Sequence, residues 1–156
     1  MDIDNVEIAN LADRQELLEY ASEWIYNEWS KEQGQKVEDV IYRSKHSINK
    51  EDIPQMYVAI SNNIPIGVVS LWRNDLTSRQ DLFPWLASLY VKDEFRNKGV
   101  GKKLQEKCIE VARNLGYKNL YLITDHNNYY EKMGWRFLEF APLNEGRKTR
   151  IYQYKL

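Results

Sequence analysis

The sequence has few of the features that would direct it to a membrane, to an oxidising compartment or to a nucleic acid. Its one cysteine, Cys108, cannot form a disulfide within the chain. No apolar run approaches the about 20 residues of a membrane-spanning helix, and residues 1–5 lack the charged and apolar regions of a signal peptide. With 22 Lys and Arg against 23 Asp and Glu, the chain lacks the excess of positive charge that nucleic-acid-binding proteins usually have. We therefore expect a cytoplasmic protein that binds neither membranes nor nucleic acids.

Other absences limit the organisation of the chain and its cofactors. Internal repeats, low-complexity tracts and linkers rich in Pro, Gly or Ser are missing, so residues 1–156 are predicted to form a single domain. The sequence has no group of Cys and His residues at the spacing of a metal site. We accordingly expect no metal cofactor.

The most informative segment is Arg-Asn-Lys-Gly-Val-Gly at residues 96–101, between an apolar strand-like run at 85–91 and a helix-like run at 100–115. Gly99 and Gly101 have no Cβ, so the backbone can turn tightly and an anion can approach it. The following helix adds unpaired N–H groups and the positive end of its dipole. Full positive charges come from Arg96, Lys98, Lys102 and Lys103. This combination predicts a ligand with a di- or polyphosphate group.

Hydrophobic periodicity and turn residues predict alternating strands and helices. The order is strand, two helices, three strands, helix, strand, helix and two strands. Asp13 and Glu16 have the spacing of a capping box and predict the start of the first helix. Asn62 and Asn63 tolerate positive φ and predict a tight hairpin. The last helix of this order is a short turn at 127–133.

Two common nucleotide motifs do not fit the loop. The G-x-x-x-x-G-K-S/T pattern is absent, and G-x-G-x-x-G fails because only two glycines occur. Arg96, Gly99 and Gly101 instead match Gln/Arg-x-x-Gly-x-Gly/Ala, the acyl-CoA loop of the GNAT superfamily of N-acetyltransferases. Residues 129–135 also resemble the aromatic-Tyr-x-x-x-Gly-aromatic segment of that family. The chain thus resembles a GNAT acetyltransferase over nearly its whole length, and the alternative for the loop is a Gly-containing turn with a solvated basic face.

The resemblance implies an α/β fold and a cosubstrate. The expected fold is a mixed, mostly antiparallel, twisted sheet of six to seven strands flanked by about four helices, splayed between the fourth and fifth strands. Acetyl-CoA would lie in that splay, with its pantetheine arm paired to the main chain of the fourth strand and its pyrophosphate on the loop. Asn127 or Asn128 would contact pantetheine. The predicted cofactor contacts are Leu89, Tyr90, Val91, Arg96, Asn97, Lys98, Gly99, Val100, Gly101, Lys102 and Asn127.

The same resemblance implies a direct attack of an amine on the thioester. Tyr130 falls at the position of the family's general acid, and a phenol is a protonated donor at neutral pH; Tyr129 is assigned to the core. The fourth strand has no carboxylate that could act as the base. Asp125 and His126 are the candidate bases, and a water chain is the alternative. Asp125 could instead cap the next helical turn.

Acceptor binding is predicted for the first two helices, the loop at 73–83 and the start of the fourth strand, where several large aromatic residues lie. Aromatic faces attract cations, although aromatic residues at helical spacing usually belong to a core. The residues assigned to the acceptor are Trp24, Trp29, Trp85 and Ser88. The expected acceptor is the amine of a small molecule, with a peptide N-terminus or lysine as the alternative. Other hypotheses are a CoA-binding module without turnover and a nucleotide-binding protein, and a homodimer through the C-terminal strands is a further expectation.

Overall fold

The computed structural model describes residues 5–143 and 146–156. Within them, seven strands form one sheet in the order β1-β2-β3-β4-β5-β7-β6. The strands are β1 (Val6–Asn10), β2 (Gln55–Ser61), β3 (Ile64–Trp72), β4 (Trp85–Val91), β5 (Asn119–Thr124), β6 (Arg136–Pro142) and β7 (Lys148–Lys155). The α-helices are α1 (Leu18–Ile25), α2 (Val37–Lys45) and α3 (Val100–Asn114). A π-helical turn, Tyr26–Ser30, continues α1.

The predicted sheet is confirmed, including its mixed character. Among the described strands, all neighbouring pairs are antiparallel except β4 and β5, which are parallel. The described residues form three α-helices rather than about four. The fourth predicted helix is a single 3-10 turn, Tyr130–Met133. It is short because Asn128 and Gly134, on either side of it, have φ values of 62° and 91°, which interrupt a helix.

The first helix begins later than the capping-box spacing predicts. The Asn10 side chain accepts a hydrogen bond from the Ala12 N–H at 2.8 Å, and 3-10 turns precede α1, which starts at Leu18. The Glu16 carboxylate accepts from Arg14 Nε at 2.6 Å and does not serve as a cap. The hairpin prediction is confirmed, since Asn62 and Asn63 have positive φ between β2 and β3.

Each face of the sheet carries a separate core, because successive side chains of a strand point to opposite faces. Helices α1 and α2 cover one face and bury Val58 and Val68. Helix α3 covers the other face and buries Tyr57 and Val69. On the side of α1 and α2, a third cluster at the far end of the sheet surrounds Trp85. No helix of the described residues is long and apolar enough to cross a membrane.

Candidate active site

The candidate site begins where the sheet splays. Strands β4 and β5 pair through one residue pair, Trp85 and Tyr121, and then diverge. The Lys92 N–H donates to the Ile66 carbonyl oxygen at 2.9 Å, so backbone groups of the preceding residue, Val91, point away from β3 and toward the gap. The splay between the fourth and fifth strands is therefore present, and it leaves main-chain groups of β4 without a strand partner.

A bulge in β4 lies at the narrow end of this gap. The β3–β4 register changes between Val68 and Ser70, and Ser88 has a φ of 52°. Gly67 on β3 allows β4 and α3 to pack closely beside the bulge. A Cβ at Gly67 would lie 2.8 Å from the Tyr90 carbonyl oxygen and 3.2 Å from Leu104 Cδ1. The absence of that side chain lets β3, β4 and α3 approach one another beside the gap.

At the other end of the gap, the chain forms an open anion cradle. A 3-10 turn, Asp93–Phe95, follows β4, and Gly99 then precedes α3 with a φ of 83°. Among the described residues, no side chain caps the N-terminus of α3, so its first N–H groups are available to an anion. A Cβ at Gly99 would have no atom within 4 Å, and one at Gly101 would meet only Val91 Cγ2 at 3.9 Å. A side chain on either glycine would therefore meet little of the rest of the described chain, and the backbone there is open to a ligand.

Arg96 fastens this loop to β4. Its Nε donates to the Val91 carbonyl oxygen at 2.9 Å, and its Nη1 lies 3.0 Å from Asp93 Oδ1. The guanidinium also lies 5.7 Å from the centre of the Tyr90 ring. The Val91 carbonyl is thus already occupied within the chain, and its N–H is the group that faces the gap. Arg96 contributes charge to the cradle from a fixed position.

Tyr130 begins the turn that follows β5, and the exposure of the two tyrosines is the reverse of the prediction. Tyr130 is 8% exposed, whereas Tyr129 is 48% exposed and does not belong to the core. The Tyr130 ring packs near Trp135 and Tyr152, at centroid distances of 6.2 and 6.0 Å. Within the described residues its hydroxyl makes no hydrogen bond, and the oxygen is not fully enclosed. Burial, with a smaller contribution from Tyr129, raises the pKa of Tyr130 to about 12.

The candidate bases lie on the exposed segment between β5 and this turn. The Asp125 carbonyl oxygen accepts from Arg150 Nη1 at 3.3 Å, and the His126 N–H donates to Thr124 Oγ1 at 3.0 Å. The His126 ring lies 5.8 Å from the Tyr129 ring. No side chain caps the turn at Tyr130, so the alternative of Asp125 as a helix cap is wrong. Asn127 and Asn128 are exposed on the same segment.

The residues predicted to bind the acceptor have very different environments. Trp85 has no accessible surface; its Nε1 donates to the Leu82 carbonyl oxygen at 2.6 Å. The structure therefore places Trp85 in the core, contrary to its predicted position in an acceptor pocket, because the β3–β4 connection folds over it. Trp24 is partly buried with its ring 5.6 Å from the Tyr90 ring, and Trp29 is 37% exposed. Ser88 is partly buried in the bulge.

Three polar residues near the Trp72 end of β3 were not singled out from the sequence: Arg43, Ser70 and Asp75. The Arg43 guanidinium, on α2, lies 4.9 Å from the centre of the Trp72 ring at the end of β3. Burial raises the pKa of Asp75 to about 7, and nearby Arg43 partly offsets this. Arg43 Nε and Ser70 Oγ are enclosed and have no hydrogen-bond partner among the described residues. Asp75 lies in the loop at 73–83, which was expected to contribute to acceptor binding, but the loop-like composition of that segment did not single out this residue.

Two further side chains with reactive groups, Cys108 and His46, lie in structural positions. Cys108 is fully buried on α3, and burial raises the pKa of its thiol, so it is a poor nucleophile. His46 lies on α2's C-terminal side, where its Nδ1 is 2.8 Å from the Tyr42 carbonyl oxygen. In the part of the chain that the structure describes, no three His, Cys, Asp or Glu residues are grouped as metal ligands would be.

Comparison with known proteins agrees with this architecture. The model of the acetyltransferase (GNAT) family matches residues 15–135, a segment that includes both the cradle and the Tyr130 turn. The chain belongs to the acetyltransferase (GNAT) family. Among curated family relatives, N-alpha-acetyltransferase 30 of Schizosaccharomyces pombe is 28% identical over 105 residues, which cover 64% of this chain and 63% of the relative. The chain spans no more than 63% of the length of the curated relatives it matches.

Solved structures of the family share the fold. An aminoglycoside 6'-N-acetyltransferase complexed with coenzyme A has a TM-score of 0.75 at 15% identity, with 96% of each chain covered. A GNAT family acetyltransferase from Elizabethkingia anophelis with acetyl-CoA bound has a TM-score of 0.62 at 22% identity, with 98% of this chain and 99% of that chain covered. At these identities the likeness concerns the fold alone.

Proposed function

We propose that this chain is an N-acetyltransferase that moves an acetyl group from acetyl-CoA to a primary amine of a small molecule. The observation that carries the proposal is the gap between β4 and β5, with the cradle after β4 and Tyr130 in the turn that follows β5. The cofactors in the two similar structures, coenzyme A and acetyl-CoA, have the diphosphate and the extended arm that this geometry suits.

In this proposal, acetyl-CoA is held mainly by backbone groups. The pyrophosphate lies on N–H groups from Asn97 to Lys102, and the positive side chains of the loop reinforce them. The pantetheine arm pairs with the Val91 N–H and with main-chain groups of Leu89, and Tyr90 and Val100 pack beneath. Asn127 supplies an amide contact from the β5 side. The side chains along β4 remain free to pack in the core.

Transfer would proceed by direct attack of the neutral amine nitrogen on the thioester carbonyl carbon. A C–N bond forms and the C–S bond breaks, and the Tyr130 hydroxyl gives its proton to the departing thiolate. The amine loses one proton, which His126 or Asp125 can accept, directly or through water. The high pKa of Tyr130 keeps its proton in place at neutral pH, so the acid is ready before each turnover.

The acceptor is expected to enter at the Trp72 end of the sheet. The cradle occupies the C-terminal end of β4, so the reacting carbonyl would lie nearer the bulge at Ser88. The acceptor would then approach from the side where α2 contacts Trp72. Asp75, Arg43 and Ser70 are on that side, and each has polar atoms that lack a hydrogen bond or close ion pair in the described chain. A carboxylate that is partly withdrawn from water attracts an ammonium group, and the aminoglycoside acetyltransferase among the similar structures acts on a polar amine.

Asp75→Asn is expected to raise stability and weaken acceptor binding at the same time. Folding raises the Asp75 pKa from an ordinary 3.8 to about 7, so the folded state holds the proton more tightly than the unfolded state. Stability from this group therefore falls as the pH rises from about 4 to about 7, and the full cost is present above that range. The variant should melt at a higher temperature at pH 8, and the KM for the amine should rise by roughly tenfold through loss of a charge-assisted contact.

The matched control for this variant is Asp81→Asn. Asp81 is an exposed carboxylate on the same loop, with an ion pair to Arg79 at 2.9 Å, so its removal should change neither the KM nor the melting temperature appreciably. Thermal melts between pH 4 and 8 and initial rates at saturating acetyl-CoA measure both effects. An unchanged KM for every accepted amine would exclude Asp75 from acceptor binding.

A second candidate acceptor is the N-terminus of a protein. It is favoured by the match to N-alpha-acetyltransferase 30 over 105 residues. Release of free thiol from acetyl-CoA, measured over polyamines, aminoglycosides, arylalkylamines, amino acids and short peptides, separates the two acceptor classes. Turnover with peptides alone would replace the small-molecule proposal.

Titration calorimetry with acetyl-CoA and with ATP tests the donor. We expect binding of acetyl-CoA and much weaker binding of ATP, because ATP has no arm to pair along β4. Absence of heat with acetyl-CoA would contradict the proposal, and equal affinity for ATP would favour a nucleotide-binding protein. Tight acetyl-CoA binding with no thiol release over the whole panel would favour a regulatory module.

Two other expectations stay predictions. A homodimer is supported by the edge strand β6, where Phe137, Leu138 and Phe140 are exposed, and sedimentation as a monomer would contradict it. A cytoplasmic location is testable by cell fractionation.

A further inference from the structure

The candidate cofactor gap divides the sheet into two halves, which meet at the Trp85–Tyr121 pair and in the core beneath α3. Helix α3, which carries the cradle at its start, packs on strands β1–β4. The Tyr130–Met133 turn contacts β6, on the other half. Strands β4 and β5 pair only at Trp85 and Tyr121. The position of Tyr130 relative to the cradle therefore depends on that shared core and on the contacts that cross from α3 to the turn.

One buried amide makes that crossing. Gln105 lies on α3 and is 2% exposed. Its Oε1 accepts a hydrogen bond from Trp135 Nε1 at 3.1 Å, and its Nε2 donates to Met133 Sδ at 3.5 Å. Met133 and Trp135 are the residues on either side of the glycine that ends the turn. Within residues 5–143 and 146–156, this is the polar side-chain link between α3 and the Tyr130 turn.

The link reaches Tyr130 through Trp135. The Trp135 indole packs edge-on to the Tyr130 ring, with centroids 6.2 Å apart. The backbone N–H of Trp135 donates to the Tyr130 carbonyl oxygen at 3.2 Å. Trp135 is 3% exposed, so its indole cannot turn to water for a replacement partner. A shift of the indole away from α3 would carry Tyr130 with it. An apolar residue at position 105 would pack but could neither accept from the indole nor donate to the sulfur.

We propose that Gln105 is a positioning residue for acetyl transfer, which holds the Tyr130 hydroxyl at the correct distance from a cofactor bound on α3. This inference rests on the proposed role of Tyr130 as the general acid. The polar atoms of the Gln105 side chain bind Trp135 and Met133, so the side chain is expected to act on the chemical step and not on cofactor binding. Small displacements of a catalytic group are costly because proton transfer requires close approach of the two heavy atoms.

The test is a double-mutant cycle between Gln105→Met and Tyr130→Phe. Methionine keeps the length and volume of glutamine and removes both hydrogen bonds. We expect Gln105→Met to lower kcat roughly tenfold with the dissociation constant of acetyl-CoA nearly unchanged. In the Tyr130→Phe background the same change should have almost no further effect on kcat, because the group that it positions is already absent. The inference would be overturned if the two substitutions lowered kcat independently, so that their effects multiplied in the double variant. It would also be overturned if Gln105→Met left kcat unchanged or lowered the affinity for acetyl-CoA in parallel with kcat.

Two variants keep the test decisive. Trp135→Phe breaks the same link from the other side, and it takes the place of Gln105→Met in the cycle if that variant does not fold. Cys108→Ser puts a hydroxyl into the apolar interface of the same helix and should lower the melting temperature without lowering kcat at 25 °C. If Tyr130→Phe alone leaves kcat unchanged, the proposed acid is wrong and the inference falls with it. If Tyr130→Phe lowers kcat and the cycle is additive, only the role of Gln105 is wrong.

Discussion

Tyr130→Phe is expected to lower kcat for acetyl transfer by about 100-fold or more, the usual contribution of a positioned general acid. The dissociation constant of acetyl-CoA should stay nearly constant. The ring of Tyr130 is buried against Trp135 and Tyr152, and phenylalanine preserves that packing. The hydroxyl makes no hydrogen bond within the described residues, so its removal leaves no buried partner unsatisfied. Single-turnover rates and calorimetric titration measure the two quantities.

Tyr129→Phe is the matched control for this experiment. Tyr129 is the neighbouring tyrosine and is 48% exposed, so loss of its hydroxyl should change kcat little. A larger effect at Tyr129 than at Tyr130 would reverse the assignment of the acid. Burial raises the pKa of Tyr130 to about 12, which means that the acid stays protonated until the pH approaches that value. Any loss of kcat between pH 8 and 9 in the wild type would therefore come from another group.

Gly101→Val is expected to weaken acetyl-CoA binding at least about tenfold, or 1.4 kcal/mol, while the fold remains as stable as before. A Cβ at this position meets only Val91 Cγ2, at an ordinary 3.9 Å, so the protein has room for it. Valine also has a slightly higher helix propensity than glycine, and residue 101 lies in the first turn of α3. The added methyl groups would occupy the space that the cradle leaves for a diphosphate. Thermal melts should therefore change little, whereas calorimetric titration should show the loss of affinity.

Gly101→Ala separates size from backbone effects. Alanine fits the Gly/Ala position of the family loop, and it should gain about 0.5–1 kcal/mol of stability from reduced backbone freedom of the unfolded chain. Its affinity for acetyl-CoA should remain close to that of the wild type. If Gly101→Val binds acetyl-CoA as tightly as the wild type does, the loop is a solvated basic turn and the cradle has been misassigned. A fall in the melting temperature with both variants would show instead that residue 101 supports the fold.

Prediction from the sequence was least successful for the solvent exposure of individual side chains. The two adjacent tyrosines have the same chemistry, and which of them faces the interior depends on how the 3-10 turn packs against Trp135 and Tyr152. Trp85 has an apolar neighbourhood in the sequence that suits either a pocket or a core. The β3–β4 connection decides between them, because the Leu82 carbonyl binds the indole N–H and closes that surface.

The polar residues that were not singled out from the sequence also have environments that depend on tertiary packing. Asp75 lies in a segment of loop-like composition, and its raised pKa comes from burial in the folded chain, near Arg43 of the sequence-distant α2. Gln105 interrupts an otherwise apolar face of α3, and its meaning depends on Trp135 being opposite. Neither environment is encoded in neighbouring residues, so no local pattern could reveal it.

The donor side, by contrast, was accessible from the chain alone. The loop at 96–101 carries its chemistry in consecutive residues, since glycines, positive charges and a helix start act together within a few residues of one another. The order of strands and helices followed for the same reason, because hydrophobic periodicity is a local property. Tertiary packing decided the acceptor side. Burial, the pKa of Asp75 and the contact between Gln105 and Trp135 depend on which distant segments meet, and only the folded chain brings them together.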